Sequence, residues 1–221
     1  MKPASVSTTF FPMMVKLEGR KCLVVGGGRV AEEKIAGLLA HGPKITVVSP
    51  RAVRGIQQQA RNRILTWKKR RFSPMDVDGA FLVVAATDSS RINSTIFRAC
   101  RENGALCNAV DDPENCDFFY PAIVRRGWLQ IAISTHGLSP ALASRLRREL
   151  EQQFGPEWAD WLQDVGTQRR EILSKRIPKT QKRKQLMEIA GPTAFQQFMH
   201  KRDHISSKKL ASRKLGMRSV R

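Results

Sequence analysis

Short apolar runs alternate with segments of helical periodicity along the first 135 residues of the chain. The runs at 23–25 and 82–86 are apolar throughout, which is typical of central strands covered by helices on both faces. Strands that alternate with helices in this way predict βαβ units around a parallel sheet. The pattern predicts helices over 30–41, 52–61 and 91–103, and strands over 22–25, 45–48, 65–69, 81–85, 106–110, 118–123 and 129–134.

A helical period replaces this alternation after residue 138. Ser139 is placed to cap a helix, and Pro140 suits the first helical position. Gly155 and Pro156 interrupt the pattern, and further helices are expected before a basic tail. The apolar residues of the first of these helices fall on one stripe, which comprises Leu142, Leu146, Leu150 and Phe154.

The composition of the 221-residue chain, with 41% hydrophobic and 26% charged residues, is that of a soluble globular protein. It excludes collagen-like, wholly disordered and disulfide-scaffold proteins. No apolar stretch approaches the roughly 20 residues that cross a bilayer, and the N-terminus lacks a secretory signal, so a cytoplasmic protein is expected. The four cysteines show neither a C-x-x-C pair nor zinc-finger spacing, so we expect reduced, mostly buried thiols and no metal site.

The net charge of +20 is unevenly distributed along the chain. Residues 168–221 carry +13 of it, and the most basic parts of this tail contain no aromatic residues. Such a tail is either a nucleic-acid-binding arm or a solvated, partly disordered extension, and the lack of aromatic residues favours the extension. The milder positive charge of the preceding residues fits an acidic small-molecule ligand.

The clearest local motif is a glycine-rich turn between the first predicted strand and the first helix. In its Gly-x-Gly-x-x-Ala pattern, Gly26 permits the tight turn and Gly28 lets the backbone approach a pyrophosphate. Ala31 allows the helix to pack closely against the strand. A plain βα turn is the alternative, but the strand–turn–helix context favours dinucleotide binding. The predicted cofactor-binding residues of the turn are Gly26, Gly27, Gly28, Arg29, Val30 and Ala31.

The ends of the second and fourth strands supply the other predicted cofactor contacts. The acid that usually binds the ribose follows the second strand, but here Ser49, Pro50 and Arg51 stand in its place. Ser49, backbone groups or a water would then hold the 2′-hydroxyl, whereas Arg51 would suit a 2′-phosphate, so the choice between NAD and NADP stays open. Ala86 and Thr87 leave room for a cofactor after the fourth strand, and Asp88 is expected to cap the next helix.

Two consecutive acids follow the fifth predicted strand. Asp111 is expected to point into the ligand crevice, while Asp112 begins the turn into Pro113. A carboxylate in the position of Asp111 can accept a proton as hydride leaves, or bind a cation. A purely turn-forming role for both acids is the alternative.

A small, hydroxyl-rich loop precedes the helix at Pro140. A helix N-terminus with such a loop is a ready anion site, although a simply capped helix would have the same sequence. The loop residues that we expect to bind a substrate are Ser134, Thr135, His136 and Gly137.

Five segments in this order resemble the precorrin-2 dehydrogenase/sirohydrochlorin ferrochelatase part of siroheme synthases. They are Val-Val-Gly-Gly-Gly-Arg-Val-Ala-x-x-Lys, Thr-Val-Val-Ser-Pro, Val-Val-Ala-Ala-Thr-Asp, Asn-Ala-Val-Asp-Asp-Pro and Ile-Ser-Thr-His-Gly-Leu-Ser-Pro-Ala-Leu-Ala, and the match covers about residues 12–165. The resemblance implies NAD-dependent oxidation of precorrin-2 to sirohydrochlorin, in some members followed by ferrous iron insertion at the same crevice. It also implies a homodimer and makes Asp111 the catalytic aspartate.

The resemblance adds Asn108 to the expected substrate-binding residues. The chain departs from the pattern of the family in two places. Many members have Ser-Ser-Gly-Gly-Thr-Ser-Pro where this chain has the loop 134–140, and no methyltransferase domain follows, so methylation of the precursor is expected elsewhere. A substrate with many carboxylates suits a basic crevice, and four arginines lie on the segments expected to border it: Arg125, Arg126, Arg145 and Arg148.

We therefore expect an α/β protein with four parts. These are an NAD-binding Rossmann-like domain over 1–113, a dimerisation segment over 114–150, a small helical domain over 151–200 and a basic, disordered tail over 201–221. The competing hypothesis is a non-enzymatic, dinucleotide-sensing regulator whose basic tail binds nucleic acid. The full series of motifs favours the enzyme, and only the tail favours the regulator.

Overall fold

Five parallel strands form the central sheet of the structure, a computed structural model that describes residues 10–202 and residue 204. The strands are β1 Lys21–Val25, β2 Lys44–Val48, β3 Thr66–Lys68, β4 Leu82–Ala85 and β5 Leu106–Ala109. Their order in the sheet is β3-β2-β1-β4-β5. The chain adds β2 and β3 on one side of β1, then returns to the centre and adds β4 and β5 on the other side. The predicted α/β, Rossmann-like fold is confirmed, and β1 and β4, which include the apolar residues 23–25 and 82–85, are central as expected.

Three helices cover the sheet: α1 Arg29–Leu39, α2 Arg54–Arg61 and α3 Ser90–Asn103. Ile35 of α1 and Ile56 of α2 are fully buried against one face, in a cluster with Val24 and Val47. On the other face, Ile96 of α3 packs in a second cluster that includes residues of β1, β4 and β5. This burial on both faces explains why β1 and β4 have apolar side chains on both sides.

The predicted strand at 118–123 is wrong. The structure has β6 at Ala122–Arg126, paired antiparallel with β7 Leu129–Ile133 in a separate two-stranded sheet. Residues before β6 instead fold back along β5, where the Cys107 N–H donates to Asp117 Oδ2 (3.0 Å) and Asn108 Nδ2 donates to the Phe118 carbonyl (2.9 Å). The aromatic run after residue 117 has the composition of a strand, but these contacts hold it as a loop.

The described chain forms two compact units. The first holds the five-stranded sheet and ends at Tyr120, with His136–Ser139 added; the second comprises Pro121–Thr135 and the residues from Pro140 onward. The predicted division at 113 and 150 into a dimerisation segment and a helical domain stays a prediction. The expected basic tail lies largely outside the described residues, because 203 and 205–221 are not among them.

The second unit joins the β6–β7 hairpin to helices α4 Pro140–Gln153, α5 Glu157–Ser174 and α6 Lys179–Ile189, followed by a helical run over 192–202. Pro140 occupies the first position of α4, as its fixed φ favours. Trp158 packs against Phe154, Trp161 and Phe195 with ring centroids 4.7 to 4.9 Å apart. This aromatic cluster holds together helices that have few other buried side chains.

All four cysteines are free thiols, as expected, and three of them are buried while Cys116 is half-buried. Burial raises the pKa of the Cys22 thiol to about 11, so this thiol stays protonated at neutral pH. Among the described residues, no helix is long and apolar enough to span a membrane, and no group of three or more metal-ligating side chains occurs.

A carboxylate fixes the connection between β3 and β4. Asp76 accepts hydrogen bonds from the Arg70 guanidinium and from the Ser73 N–H (3.0 Å), and its side chain is only 3% exposed. The hydrogen bond from Arg70 is the largest of the effects that lower the pKa of Asp76, ahead of burial, which opposes it. The Asp76 carboxylate thus joins a 3₁₀ turn at Pro74–Val77 to the end of β3.

Replacing Asp76 with Asn should lower the free energy of unfolding at pH 7 by about 1 kcal/mol, as the loss of a capping carboxylate typically does. Because the folded pKa of Asp76 lies below the unfolded value of about 3.9, this stabilisation is complete above that pH and is lost as pH falls through the folded pKa. Urea unfolding of both proteins between pH 7 and pH 3 measures the difference. Asp78→Asn, at an exposed neighbouring position, is the control, and a gap between Asp76→Asn and wild type that stayed constant down to pH 3 would contradict the assignment.

Candidate functional site

Four loops meet at the carboxyl edge of the five-stranded sheet. They follow the neighbouring strands β2, β1, β4 and β5, and they carry residues 49–51, 26–28, 86–87 and 111. The strand order therefore brings together the predicted cofactor contacts and Asp111 at one edge, at the switch point where open α/β sheets bind ligands.

The first two glycines of the turn are required by contacts within the protein. Gly26 has φ +124°, and a Cβ there would collide with the Ala86 carbonyl. A Cβ on Gly27 would collide with the Arg51 carbonyl and the Ser49 hydroxyl. The tight turn expected at Gly26 is present, whereas the close backbone approach of Gly27 to the loop after β2 was not foreseen. A run of three glycines was the only sequence signal for it.

Gly28 differs from its two neighbours because, within residues 10–202, no other part of the chain approaches it. It is the exposed N-cap residue of α1 with φ −81°, a conformation open to any residue, and a Cβ there would have no heavy atom within 4 Å. Arg29 and Val30 are exposed in the first turn of α1, while Ala31 is fully buried against the sheet. The turn thus presents open backbone and free helix N–H groups, which is the cradle that a dinucleotide pyrophosphate fits.

The loop after β2 offers one buried and two exposed residues. The Trp67 indole N–H lies 3.1 Å from both the hydroxyl and the carbonyl oxygen of Ser49 and donates to them, and Ser49 is 4% exposed. Ser49 is therefore held inside the protein, next to Gly27 of the glycine turn. Pro50 and Arg51 are exposed, so the Arg51 guanidinium is the group of this loop that is free to reach a ribose or a 2′-phosphate.

The loop after β4 is held by a hydrogen-bond network around a buried amide. The Thr87 hydroxyl donates to Asn93 Oδ1 (2.7 Å), and Asn93 Nδ2 donates weakly to the Thr87 carbonyl (3.4 Å). The capping role expected for Asp88 is wrong, because Ser89 is the N-cap and accepts from the Ile92 N–H (3.4 Å). Ala86 and Thr87 keep their places beside the glycine turn, since the Ala86 N–H donates to the Val25 carbonyl (2.8 Å).

Asp111 stands exposed in a left-handed turn directly after β5, with φ +60°. Non-glycine residues in this region carry strain of about 1–3 kcal/mol, and such positions cluster at functional sites. Asp112 is used differently: it begins the 3₁₀ turn at Pro113–Asn115, and its Oδ2 accepts from Asn115 Nδ2 (2.6 Å). The two acids thus have separate roles, with Asp112 in the turn and Asp111 free to meet a ligand.

The half-buried thiol of Cys116 holds the backbone on both sides of Asp111. Its Sγ lies 3.2 Å from the carbonyl oxygens of Ala109 and Asp112, both of which accept from it. Burial is the first cause of the raised pKa of Cys116, and the charges of Asp112 and Asp117 add to it, so the thiol keeps the proton that it donates. This role had no signal in the sequence, because nothing in the spacing of Cys116 marks it as a partner of β5.

Asn108 and the residues of the predicted loop 134–137 have surroundings that differ from one another. The Asn108 side chain is buried, and its amide ties β5 to Phe118, so its visible role is to hold the loop after Asp111. Ser134 and Thr135 belong to the second unit, whereas His136 and Gly137 belong to the first. His136 is exposed, has φ +53° and packs 6.2 Å from the Phe10 ring. Their substrate-binding role stays a prediction.

The four arginines that were expected to border the crevice have different contacts. Arg126 is a structural residue, because its guanidinium donates to the carbonyls of Phe154 (2.6 Å) and Glu151 (2.8 Å) at the end of α4, and the crevice role expected for it is wrong. Arg145 pairs with Glu149 along the surface of α4 (3.2 Å). Arg125 and Arg148 are exposed and stay candidates for binding anions.

Comparison with known proteins agrees with this geometry. A family model described as "Putative NAD(P)-binding" matches residues 13–122, and one described as "Sirohaem biosynthesis protein central" matches 126–153. Siroheme synthase of Methylococcus capsulatus is 35% identical over 187 residues, which are 84% of this chain and 39% of that protein. Siroheme synthase 2 of Aeromonas hydrophila is 39% identical over 142 residues, which are 64% of this chain and 30% of that protein.

A solved structure matches over almost its whole length. The protein described as SirC, precorrin-2 dehydrogenase, superposes with a TM-score of 0.76 at 28% identity, covering 90% of this chain and 98% of that one. By contrast, the chain spans less than half the length of the siroheme synthases that it matches. The chain therefore belongs to the siroheme synthase and precorrin-2 dehydrogenase family.

Proposed function

We propose that this protein is an NAD-dependent dehydrogenase that oxidises precorrin-2 to sirohydrochlorin. The observation that carries the proposal is one edge of the sheet at which an open glycine cradle and a strained, exposed aspartate occur together, Gly28 after β1 and Asp111 after β5. The near full-length likeness to a solved precorrin-2 dehydrogenase supports the choice of substrate.

The reaction removes a hydride and a proton from the substrate. A bound nicotinamide supplies the hydride acceptor, and the residues that would hold it are the backbone at Gly28, the first turn of α1 and the loop at Ala86 and Thr87. Asp111 is exposed and carries a carboxylate that can accept the proton. Cys116 and Asn115 position that carboxylate by fixing the turn, and neither needs to touch the substrate.

The positive charge of the protein suits a substrate that bears many carboxylates. Arg125 and Arg148 are exposed cations of the second unit, and the whole chain carries +20. A cationic protein raises the rate at which polyanionic ligands associate, especially at low ionic strength. We propose insertion of ferrous iron, as a substrate, only as a second step to be tested in the same assay.

A homodimer formed through the second unit is part of the proposal. Three of its large apolar side chains are exposed, with Ile123 38%, Leu142 39% and Trp128 85% accessible. We propose that the partner subunit covers these side chains, because apolar surface is typically buried at protein interfaces. The free cysteines support a cytoplasmic location, because reduced thiols are typical of that compartment.

Gly28→Val should weaken NAD binding by at least about tenfold, because its side chain would fill the space that the pyrophosphate needs and remove charge-assisted hydrogen bonds. The fold should persist, since Gly28 has ordinary φ and open surroundings. Calorimetric titration with NAD measures the change. Gly37→Val is the matched control, because Gly37 lies on the same helix and is also open; equal NAD affinity in both variants would refute the cradle.

Wild-type enzyme should prefer NAD to NADP, and Arg51→Ala should change the kcat/KM for NAD by less than about threefold, because the 2′-hydroxyl of NAD does not need a guanidinium. Comparing kcat/KM for the two cofactors in wild type, Arg51→Ala and the control Arg54→Ala provides the measurement. If wild type and Arg54→Ala prefer NADP and Arg51→Ala does not, Arg51 binds the 2′-phosphate.

Asp111→Asn should lower the oxidation of precorrin-2 by about 10²–10⁴-fold, the usual effect of losing a positioned acid–base group, and leave NAD affinity unchanged. An anaerobic absorbance assay with precorrin-2 and NAD, followed by ferrous iron, measures both steps. Asp88→Asn removes an equivalent exposed charge from the neighbouring loop and should keep full activity. If wild-type protein binds NAD but does not turn over, the alternative of a dinucleotide-sensing regulator replaces the enzyme.

A further inference from the structure

In the part of the chain that the structure describes, one face of the five-stranded sheet has no covering helix over β2 and β3. α1 and α2 pack on the opposite face, and on this face α3 lies over β4 and β5. The connection from β3 to β4 contains only the 3₁₀ turn at Pro74–Val77. Because parallel sheets are normally covered on both faces, the missing helix leaves a hollow over β2 and β3.

The lining of the hollow includes the first residues of β1 and β2, Lys21 and Lys44, whereas the glycine turn follows the carboxyl end of β1. Strand register places Lys21 beside Lys44, Leu23 beside Thr46, and Thr46 beside Thr66. Alternate residues of a strand share a face, so these side chains line the floor. The volume of about 540 Å³ lies within the range of roughly 300–1,000 Å³ that is usual for small-molecule sites.

Cations without carboxylate partners surround the hollow. Within residues 10–202, none of Lys21, Lys44 and Arg63 takes part in an ion pair. Of the two acids on its wall, Asp76 is already bound by Arg70 and Lys68, and only Asp78 is left. The local charge is therefore positive.

The placement of the two lysines is unfavourable without a ligand. Lys21 and Lys44 are direct neighbours in the parallel register of β1 and β2, so their positive charges repel each other. Lys21 Nζ lies at the wall of the hollow, 3.4 Å from the point that a Cβ of Gly79 would occupy. An anion between the two ammonium groups would turn this repulsion into attraction.

We propose that the hollow is a second ligand site, distinct from the dinucleotide cradle, which binds a small organic anion with at least two charged groups. The two ammonium groups of Lys21 and Lys44 would hold one phosphate or carboxylate, and the Arg63 guanidinium would hold another. The hydroxyls of Thr46 and Thr66 add hydrogen-bond donors, and Leu23 provides an apolar surface for the carbon skeleton. Phosphate and carboxylate ligands share this chemistry.

Calorimetric titration of the full chain at low salt tests the site, with inorganic pyrophosphate and citrate as probes. Each titration is carried out with saturating NAD and repeated on Gly28→Val, so that binding in the dinucleotide cradle is recognised. We expect at least one probe to bind under both conditions. Lys44→Gln and Arg63→Gln should each weaken that binding by about tenfold or more, as the loss of a charge-assisted contact does. Lys179→Gln, the same charge change on α6 of the second unit, should not.

The relative affinities of the two probes distinguish two classes of natural ligand. Tighter pyrophosphate binding indicates a phosphate ester as the natural ligand, and tighter citrate binding indicates a polycarboxylate. Lys44→Gln should also have a melting temperature equal to or above that of wild type without anions, because it removes a repulsion. Binding that is abolished by NAD, or that falls equally in Lys179→Gln, overturns the proposal, as does the absence of binding by both probes. None of these results depends on the turnover of precorrin-2.

Discussion

The close backbone contacts of the β1–α1 turn are the constraint on which the site depends. Gly26 and Gly27 lie against the carbonyls of Ala86 and Arg51, so the turn touches the loops after β4 and β2 at once. A side chain at either glycine would push these loops apart. Among the described residues, the same contacts leave Gly28 as the glycine of the turn that faces open space, which supports the proposal that a ligand approaches its backbone.

The candidate proton acceptor depends on a different kind of support. Asp111 is exposed, and its left-handed backbone is held from the buried side by the Cys116 thiol and by the Asn115–Asp112 hydrogen bond. A strained conformation persists only where the surrounding structure determines it. The buried amide of Asn108 fixes the returning loop in the same way, so the carboxylate is presented by contacts that make no use of its own oxygens.

The sequence patterns predicted what depends on local periodicity and missed what depends on tertiary contacts. The five strands of the sheet and its three helices follow from short runs rich in apolar residues that alternate with helical spacing, and the glycine turn follows from its motif. The strand expected at 118–123 failed because the contacts of Asp117 and Phe118 with β5 override a strand-like composition. The roles of Asn93 and Cys116 had no local signal, since each depends on a partner that only the fold brings near.

Positive φ at non-glycine residues has more than one origin in this protein. Within the described residues, the non-glycine positions with positive φ are Arg63, Asp111 and His136. A glycine would relieve each of them, and asparagine is the next most tolerant residue. Arg63 is explained by the end of α2, because the Arg63 N–H donates to the Ala60 carbonyl (3.0 Å) and the Ile64 N–H donates to the Gln59 carbonyl (3.0 Å), which is the usual left-handed end of a helix. Asp111 instead follows a strand, so its strain of about 1–3 kcal/mol is not explained by a helix end and supports the proposal that its carboxylate meets a ligand.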